Sequence, residues 1–273
     1  MIYAPTRQRT RTPLSYYGGK QKLAPHLLAL LPQHDAYVEV FGGGAALLFA
    51  KPPAPVEVYN DRDAEVVNFF GVLRGPEGDA LIRSLRLTPH SRDEHSFCRS
   101  TISQTSDRVE RARRFYVSIR QSYGSIAGDA YQTGTKGLGR AWANRIDELP
   151  VAVERLRHVQ IENSDFRTLI PKYDRPDVVL YCDPPYLPEV RTSHAQGARQ
   201  RKYRQEMSRD DHVELLHLLR RTKAKVMLSG YDSELYSSCL PDWRRFERRM
   251  QTPSGTQKNG QANYRIECVW MNY

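Results

Sequence analysis

The segment DVVLYCDPPYLPEV, Asp177 to Val190, holds the densest chemistry in the chain. An apolar run, Val178 to Tyr181, reads as a buried strand that ends abruptly in Asp183, Pro184, Pro185 and Tyr186. In an open α/β sheet, ligands sit outside the carboxyl ends of the strands, where the Asp183 carboxylate would then lie. Pro184 and Pro185 fix φ and donate no backbone hydrogen bond, leaving carbonyls to point at a substrate. Tyr186 adds a flat ring. One carboxylate, one fixed carbonyl and one ring suit a planar molecule with an exocyclic amino group: two N–H donors find two acceptors, and the π-face finds a stacking partner. The plainer reading is an Asp-Pro turn closing a strand.

A second constellation lies upstream. VEVFGGGAALL, Val38 to Leu48, reads as strand, glycine turn and helix, so backbone amides can approach a ligand closely at the helix start. About twenty residues on, the next strand, VEVYND, ends in Asn60 and Asp61, where nucleotide-type sites carry the acid that takes ribose hydroxyls. The turn is not GxGxxG, and alone it reads equally well as a tight strand–helix connection. With Asp61 at that distance, an adenosine-containing cofactor is the better reading. Asp183 is expected to face the same crevice as the glycine turn.

The elements that must hold these residues alternate. KQKLAPHLLALL reads as a helix with Leu23, Leu27, Leu30 and Leu31 on one face and Pro25 in its first turn. DAEVVNFFGVLR reads as the helix after VEVYND. From about Gly75 to Leu149 strand signals vanish, and arginine-rich helical pieces lead into a loop dense in glycine, threonine and tyrosine. Alternation resumes with HVQIENSDF, DVVLYCDPPY, AKVMLSGYD and YRIECVWMNY. The reading is an α/β array interrupted by a basic helical insert.

The chain has 273 residues, 40% of them hydrophobic and 10% aromatic, enough for one large packed α/β domain and against global disorder. Its formal net charge of +10 points to a polyanionic partner, nucleic acid first. Cys98, Cys182, Cys239 and Cys268 are far apart and form no Cys/His cluster, which argues against a zinc site and a disulfide framework; Cys182 reads as a core residue. The basic N-terminus lacks an apolar h-region, and no run approaches spanning length, so a soluble intracellular protein is expected.

Two basic stretches invite a nucleic acid. RVERARRFYVSIRQSYG places Arg108, Arg111, Arg113, Arg114 and Arg120 on or beside one helix, either as a phosphate track or as a solvated face. RTSHAQGARQRKYRQEMS, with Arg191, Arg199, Arg201, Lys202 and Arg204, suits a loop closing on DNA, and simple disorder equally. WRRFERRM alternates as an edge strand, with no DNA role assigned.

The DPPY tetrad, taken with these motifs, resembles the S-adenosylmethionine-dependent DNA adenine-N6 methyltransferases of the Dam type. SYYGGK (Ser15 to Lys20) is similar to that family's N-terminal cofactor motif, VEVFGGGAAL to its phenylalanine–glycine motif, YNDRD to its ribose-binding segment, NSDF to the pair around the cofactor adenine, and RIECVWMNY to its closing strand. Tyr16 stands where relatives often carry tryptophan, and the turn has three consecutive glycines; both departures bear on packing. The resemblance runs nearly the full length and is weaker inside the insert.

It implies a Rossmann-like, doubly wound, mostly parallel seven-stranded sheet, with a catalytic core over 1–75 and 150–273 and a helical target-recognition insert over 76–149. It implies a cofactor site of Tyr16, Tyr17, Lys20, Glu39, Phe41, Gly42, Gly43, Gly44, Asp61, Asp165, Phe166 and Asp183. It implies catalysis by Asp183, Pro184, Pro185 and Tyr186 on a flipped-out adenine, without a metal, yielding S-adenosylhomocysteine. Arg120, Tyr123, Arg191, Arg201, Lys202 and Tyr203 are the implied contacts to double-stranded DNA, with Tyr123 a wedge into the vacated stack. A cytoplasmic, nucleoid-associated enzyme without a membrane partner is expected, with a cognate restriction endonuclease left open, and a monomer, with a dimer as the alternative. Cytosine-N4, RNA or protein-amide methylation and an inactive DNA-binding relative are the rivals. Aspartate at 183 favours adenine, since cytosine-N4 relatives more often show serine there, and protein-amide relatives asparagine.

Overall fold

The computed structural model describes residues 11–14, 19–123, 130–134, 137–190, 205–256 and 262–273. The strands are β1 (Ala36–Glu39), β2 (Val56–Asn60), β3 (Val159–Glu162), β4 (Val178–Cys182), β5 (Lys225–Tyr231), β6 (Arg244–Thr256) and β7 (Ala262–Met271). The helices are α1 (Ala24–Leu30), α2 (Ala46–Ala50), α3 (Ala64–Arg74), α4 (Gly78–Leu87), α5 (Arg92–Thr101), α6 (Arg108–Arg120), α7 (Leu138–Asp147), α8 (Leu149–Leu156), α9 (Phe166–Lys172), α10 (Arg209–Arg221) and α11 (Glu234–Cys239). The strands form a seven-stranded, mostly parallel sheet in the order β3-β2-β1-β4-β5-β7-β6, the Rossmann-like α/β class expected. Two compact units divide the chain: Met1–Leu31 with Gly42–Asn163, and Pro32–Phe41 with Ser164–Tyr273.

In the first unit, β2 and β3 pair in parallel with Val58 opposite Gln160. Helix α3 forms because Val66, Phe69, Phe70 and Leu73 recur at three- and four-residue spacing and are buried. Asp63 caps it, accepting the Glu65 amide at 3.0 Å. Phe69 stacks on Tyr116 of α6, 5.1 Å between centroids and 10° from parallel, and Phe70 meets Tyr59 edge-on at 4.9 Å. The stretch 76–149 falls inside this unit, where helices α4 to α7 supply its regular elements.

A buried ion triad holds β2 from beneath: Lys51 Nζ and Arg155 Nη1 each reach the Glu57 carboxylate at 2.5 Å. Burial would raise the Glu57 carboxyl, but the Arg155 hydrogen bond and the Arg155 and Lys51 charges hold it below its ordinary range.

The expected arginine track on α6 is largely engaged within the protein. Arg111 pairs with Glu65 at 2.5 Å, Arg113 with Glu94 at 2.5 Å and with Glu110 at 2.7 Å, and Arg114 with Glu110 at 2.7 Å. Glu110 lies one helical turn from Arg113 and Arg114, a pairing that spacing does reveal, whereas Glu65 and Glu94 reach Arg111 and Arg113 from other helices.

The second unit is built on parallel pairings of β1 with β4 and β4 with β5, then antiparallel β5–β7 and β7–β6. Ala36 lies opposite Val178, and Tyr231 opposite Glu267. All five residues of β4 are buried, as a strand with neighbours on both sides requires. Cys182 is one of them. Strand β6 lies at the sheet edge, as WRRFERRM suggested. The helix expected over KQKLAPHLLALL is shorter: α1 holds only its centre, with Pro25 in the first turn. Among the described residues no helix is long and apolar enough to cross a membrane.

Candidate active site

The glycine turn is shaped by close approach to the second strand. The Gly42 amide donates to the Asn60 carbonyl at 2.7 Å. A Cβ on Gly42 would overlap the Tyr59 ring and lie 2.9 Å from the Asn60 oxygen, so only glycine fits. Gly43 and Ala45 adopt φ of 46° and 56°. Glycine does so freely; at Ala45 the left-handed conformation costs about 1 kcal/mol. The Tyr59 hydroxyl fixes the turn by donating to the Gly43 carbonyl at 2.8 Å, and Thr12 donates to the Gly44 carbonyl.

Asp61 stands beside this turn. Its Oδ2 accepts the Gly43 amide and its Oδ1 the Asp63 amide, each at 2.7 Å. Burial pushes the carboxyl up to about 6, against those two amides, which pull it down. The Arg62 backbone amide also stabilises the carboxylate, which still has acceptor capacity to spare for a hydroxyl. Asn163, from the NSDF motif, donates to the Asp61 carbonyl at 2.7 Å.

At the end of β4, Asp183 is half-buried and Pro184 buried. Tyr186 is 6% exposed, and its hydroxyl donates to Glu267 Oε2 on β7 at 2.8 Å. The Tyr186 ring packs on Tyr231 at the end of β5, 4.4 Å between centroids, and the Arg265 guanidinium lies 5.1 Å from the Tyr231 ring. Behind them Tyr181 shares a hydrogen bond with Ser229 at 3.2 Å. Burial and then the nearby Asp183 charge raise the Tyr181 hydroxyl well above its ordinary range, so it stays neutral.

The Asp165–Phe166 pair opens α9. Asp165 caps that helix, accepting the Arg167 amide at 3.0 Å. Phe166 is buried, and its ring lies 5.8 Å from that of Phe41. Arg167 stacks over Phe166 at 4.4 Å and is gripped by Asp165, Asp211 and Glu214 at 3.2, 2.5 and 2.7 Å. Two rings beside a carboxylate can hold a purine with an amino group.

Of the remaining expected residues, Lys20 and Glu39 are buried, and Glu39 Oε1 accepts the Tyr37 hydroxyl at 2.8 Å. Arg120 ends α6 half-buried; burial lowers its guanidinium, while the Tyr116 hydroxyl beside it raises it. Tyr123 is 64% exposed; its amide donates to the Ala130 carbonyl and that of Gln132 to the Gln121 carbonyl, each at 2.8 Å, around an antiparallel bridge of Ser122 with Tyr131. Tyr16, Tyr17, Arg191, Arg201, Lys202 and Tyr203 lie outside the described residues. Sequence reasoning missed Tyr59, Arg167, Tyr231 and Glu267. Arg167 directly follows the NSDF motif and was within reach; the other three depend on strand register.

The fold is that of a Rossmann-like α/β protein, with polar residues following the ends of β1, β2 and β4. The D12 class N6 adenine-specific DNA methyltransferase family matches residues 16–251, and the chain belongs to it. The chain is 25% identical over 276 residues to the type II methyltransferase M1.LlaDCHI of Lactococcus lactis subsp. cremoris, covering 94% of this chain and 93% of that one. It is 22% identical over 243 residues to a DNA adenine methylase of Serratia marcescens, covering 84% and 86%. A solved precorrin 8w decarboxylase from Methanobacterium thermoautotrophicum matches at a TM-score of 0.37 and 11% identity, over 92% of this chain and 88% of that one. The protein is thus an enzyme that methylates adenine in DNA at N6, and its family implies S-adenosylmethionine as the methyl donor. That membership favours adenine in DNA over the cytosine and RNA readings.

Proposed function

We propose that the chain methylates an extruded adenine within a specific duplex sequence, with Asp183, Pro184, Pro185 and Tyr186 holding the base. The observation that carries this is the emergence of Asp183 from a fully buried β4 into Pro184, Pro185 and Tyr186. Adenine's exocyclic nitrogen is a poor nucleophile because its lone pair is delocalised into the ring. Asp183 and the Pro184 carbonyl accept its two N–H groups and draw that lone pair out of the ring plane. S-adenosylmethionine, when bound, supplies an electrophilic methyl on a sulfonium. With the cofactor bound, Asp183, already accepting one N–H, would be placed to receive the proton that the amine nitrogen releases as it takes the methyl. Positioning and electrostatics do this without a covalent enzyme intermediate. A base inside a duplex cannot reach such a pocket, so it is flipped out and rests on Tyr186.

The donor set suits the cofactor. In this reading Asp61 takes the ribose hydroxyls, and Asp165, Phe166 and Phe41 take the adenine. Gly42, Gly43 and Gly44 pass under the methionine part, with Lys20, Glu39, Tyr16, Tyr17 and Asp183 completing the site. The stretch 76–149 reads the target, with Arg120 and Tyr123 at the DNA. Arg191, Arg201, Lys202 and Tyr203 close from the other basic segment. The Lactococcus relative's type II name supports a restriction-modification setting with a cognate endonuclease. The enzyme acts as a monomer in the cytoplasm, at the nucleoid.

The test is incubation with methyl-labelled cofactor and duplex DNA, then digestion and separation of nucleosides. Label is expected in N6-methyladenine at one sequence context. Label scattered over contexts would overturn the site-specific reading.

A further inference from the structure

We propose that the β6–β7 hairpin is a docking surface for the DNA backbone beside the target base, with Arg248 and Arg249 as its phosphate contacts. The proposal rests on the reading of Asp183 to Tyr186 as the base site and adds a surface to it.

Register shows where the hairpin lies. Strand β5 ends at Tyr231, opposite Glu267, while β7 begins at Ala262 and β6 runs on to Thr256. Both strands therefore overrun the end of β5, by on the order of 16 Å at about 3.3 Å per residue. The overrun is at the carboxyl end of parallel β4 and β5, the end at which Asp183 leaves the sheet. Two contacts tie it to the base site: the Tyr186 hydroxyl on Glu267, and Arg265 over the Tyr231 ring that packs on Tyr186.

Charge shows what the hairpin would hold. Arg248 sits opposite Glu267 and Arg249 opposite Ile266 in the β6–β7 register, and both arginines are exposed. Neither forms an ion pair among the described residues, whereas neighbouring Arg245 pairs with Asp232 and Glu247. Arg249 is already aimed, its guanidinium 4.2 Å over the Tyr264 ring. Tyr264 and Ile266, on Arg249's face of the ribbon, are 49% and 50% exposed and add an apolar floor beside that cation, while Arg248 shares the opposite face with Glu267. Guarding a sheet edge against other strands accounts for charge on β6. It does not account for exposed arginines that make no ion pair among the described residues, on the overrun of an enzyme whose substrate is a polyanion.

The experiment measures equilibrium binding of the full chain to a target duplex and to a scrambled duplex across a salt series. Two lost phosphate contacts should flatten the dependence of log affinity on log salt by about 1.8. For Arg248→Ala/Arg249→Ala that loss is expected equally on both duplexes, with binding on the order of tenfold weaker at moderate salt. Cofactor affinity and melting temperature should stay unchanged, and Arg248→Lys/Arg249→Lys should restore most of the slope. A wild-type slope and affinity in the double alanine variant would reduce the hairpin to an edge guard and overturn the proposal. Asp183→Ala separates the two ideas: normal methyl transfer in that variant sinks the base-site reading, while its salt slope still reports on the hairpin.

Discussion

Tyr186 and Glu267 share a 2.8 Å hydrogen bond that joins the end of the DPPY tetrad to a strand near the chain's C-terminus. With Tyr231 against the ring, this bond fixes the phenol in one orientation. Glu267→Ala should loosen Tyr186 and weaken capture of the extruded base, lowering the signal of a fluorescent adenine analogue and raising KM for DNA more than it lowers kcat. Tyr186→Phe keeps the ring and removes the hydroxyl, so adding Glu267→Ala to it should cost little more. Full additivity of the two changes would show that Glu267 does not act through Tyr186. Tyr186→Ala should lose the analogue signal altogether.

Asp183→Ala should reduce kcat on the order of a hundred- to a thousandfold, the scale of losing one preorganised electrostatic contact. Cofactor binding by calorimetry should weaken far less than kcat, since Asp183 is one contact among many in that site. Single-turnover methylation at the wild-type rate would reject Asp183 as the amine's acceptor.

Burial places the Asp61 carboxyl at about 6. Ionised, it accepts hydroxyls; protonated, it loses acceptor sites. Cofactor affinity should be steady above pH 7 and fall as pH drops through about 6, whereas Asp61→Asn should bind weakly with no such bend. Stability moves the other way. A carboxyl raised from 3.8 favours the folded state below that value and loses the contribution as pH rises through about 6. Asp61→Asn should therefore gain stability relative to wild type between pH 4 and pH 8, by up to about 3 kcal/mol for a shift of this size. Parallel melting curves for the two proteins across that range would refute the assignment.

Gly42→Ala should destabilise the protein by about 2 kcal/mol, because the added methyl meets the Tyr59 ring and the Asn60 carbonyl. Cofactor affinity should fall with it. Tyr59→Leu in the same chain gives the methyl room and should recover part of the melting temperature. No recovery would place the strain on the backbone contact alone.

The parts legible in the sequence were those carried by local pattern. An apolar run ending in Asp-Pro-Pro announced β4, glycines before a helical period announced the turn into α2, and an alternating basic run announced β6 at the edge. Asp61 was readable because its distance from the turn is set by one helix and one strand. The α6 arginines were not. Glu110 is one turn away on α6, but Glu65 and Glu94, which take Arg111 and Arg113, come from other helices, and helix packing chooses them. Glu267 escaped for a related reason: which strand residue faces Tyr186 follows from a register fixed only when β7 docks on β5. The overrun of β6 and β7 is likewise invisible until the end of β5 is known.

Pairing Ala36 with Val178 has a consequence for synthesis on the ribosome. The edge of β1 that β4 covers leaves the exit tunnel roughly 140 residues before its partner, on the order of ten seconds at bacterial elongation rates. Through that interval an apolar strand edge stands open, a template for neighbouring nascent chains. Slower translation lengthens the exposure, so yield in the cell should track elongation speed and holdase supply more closely than it tracks the finished enzyme's stability.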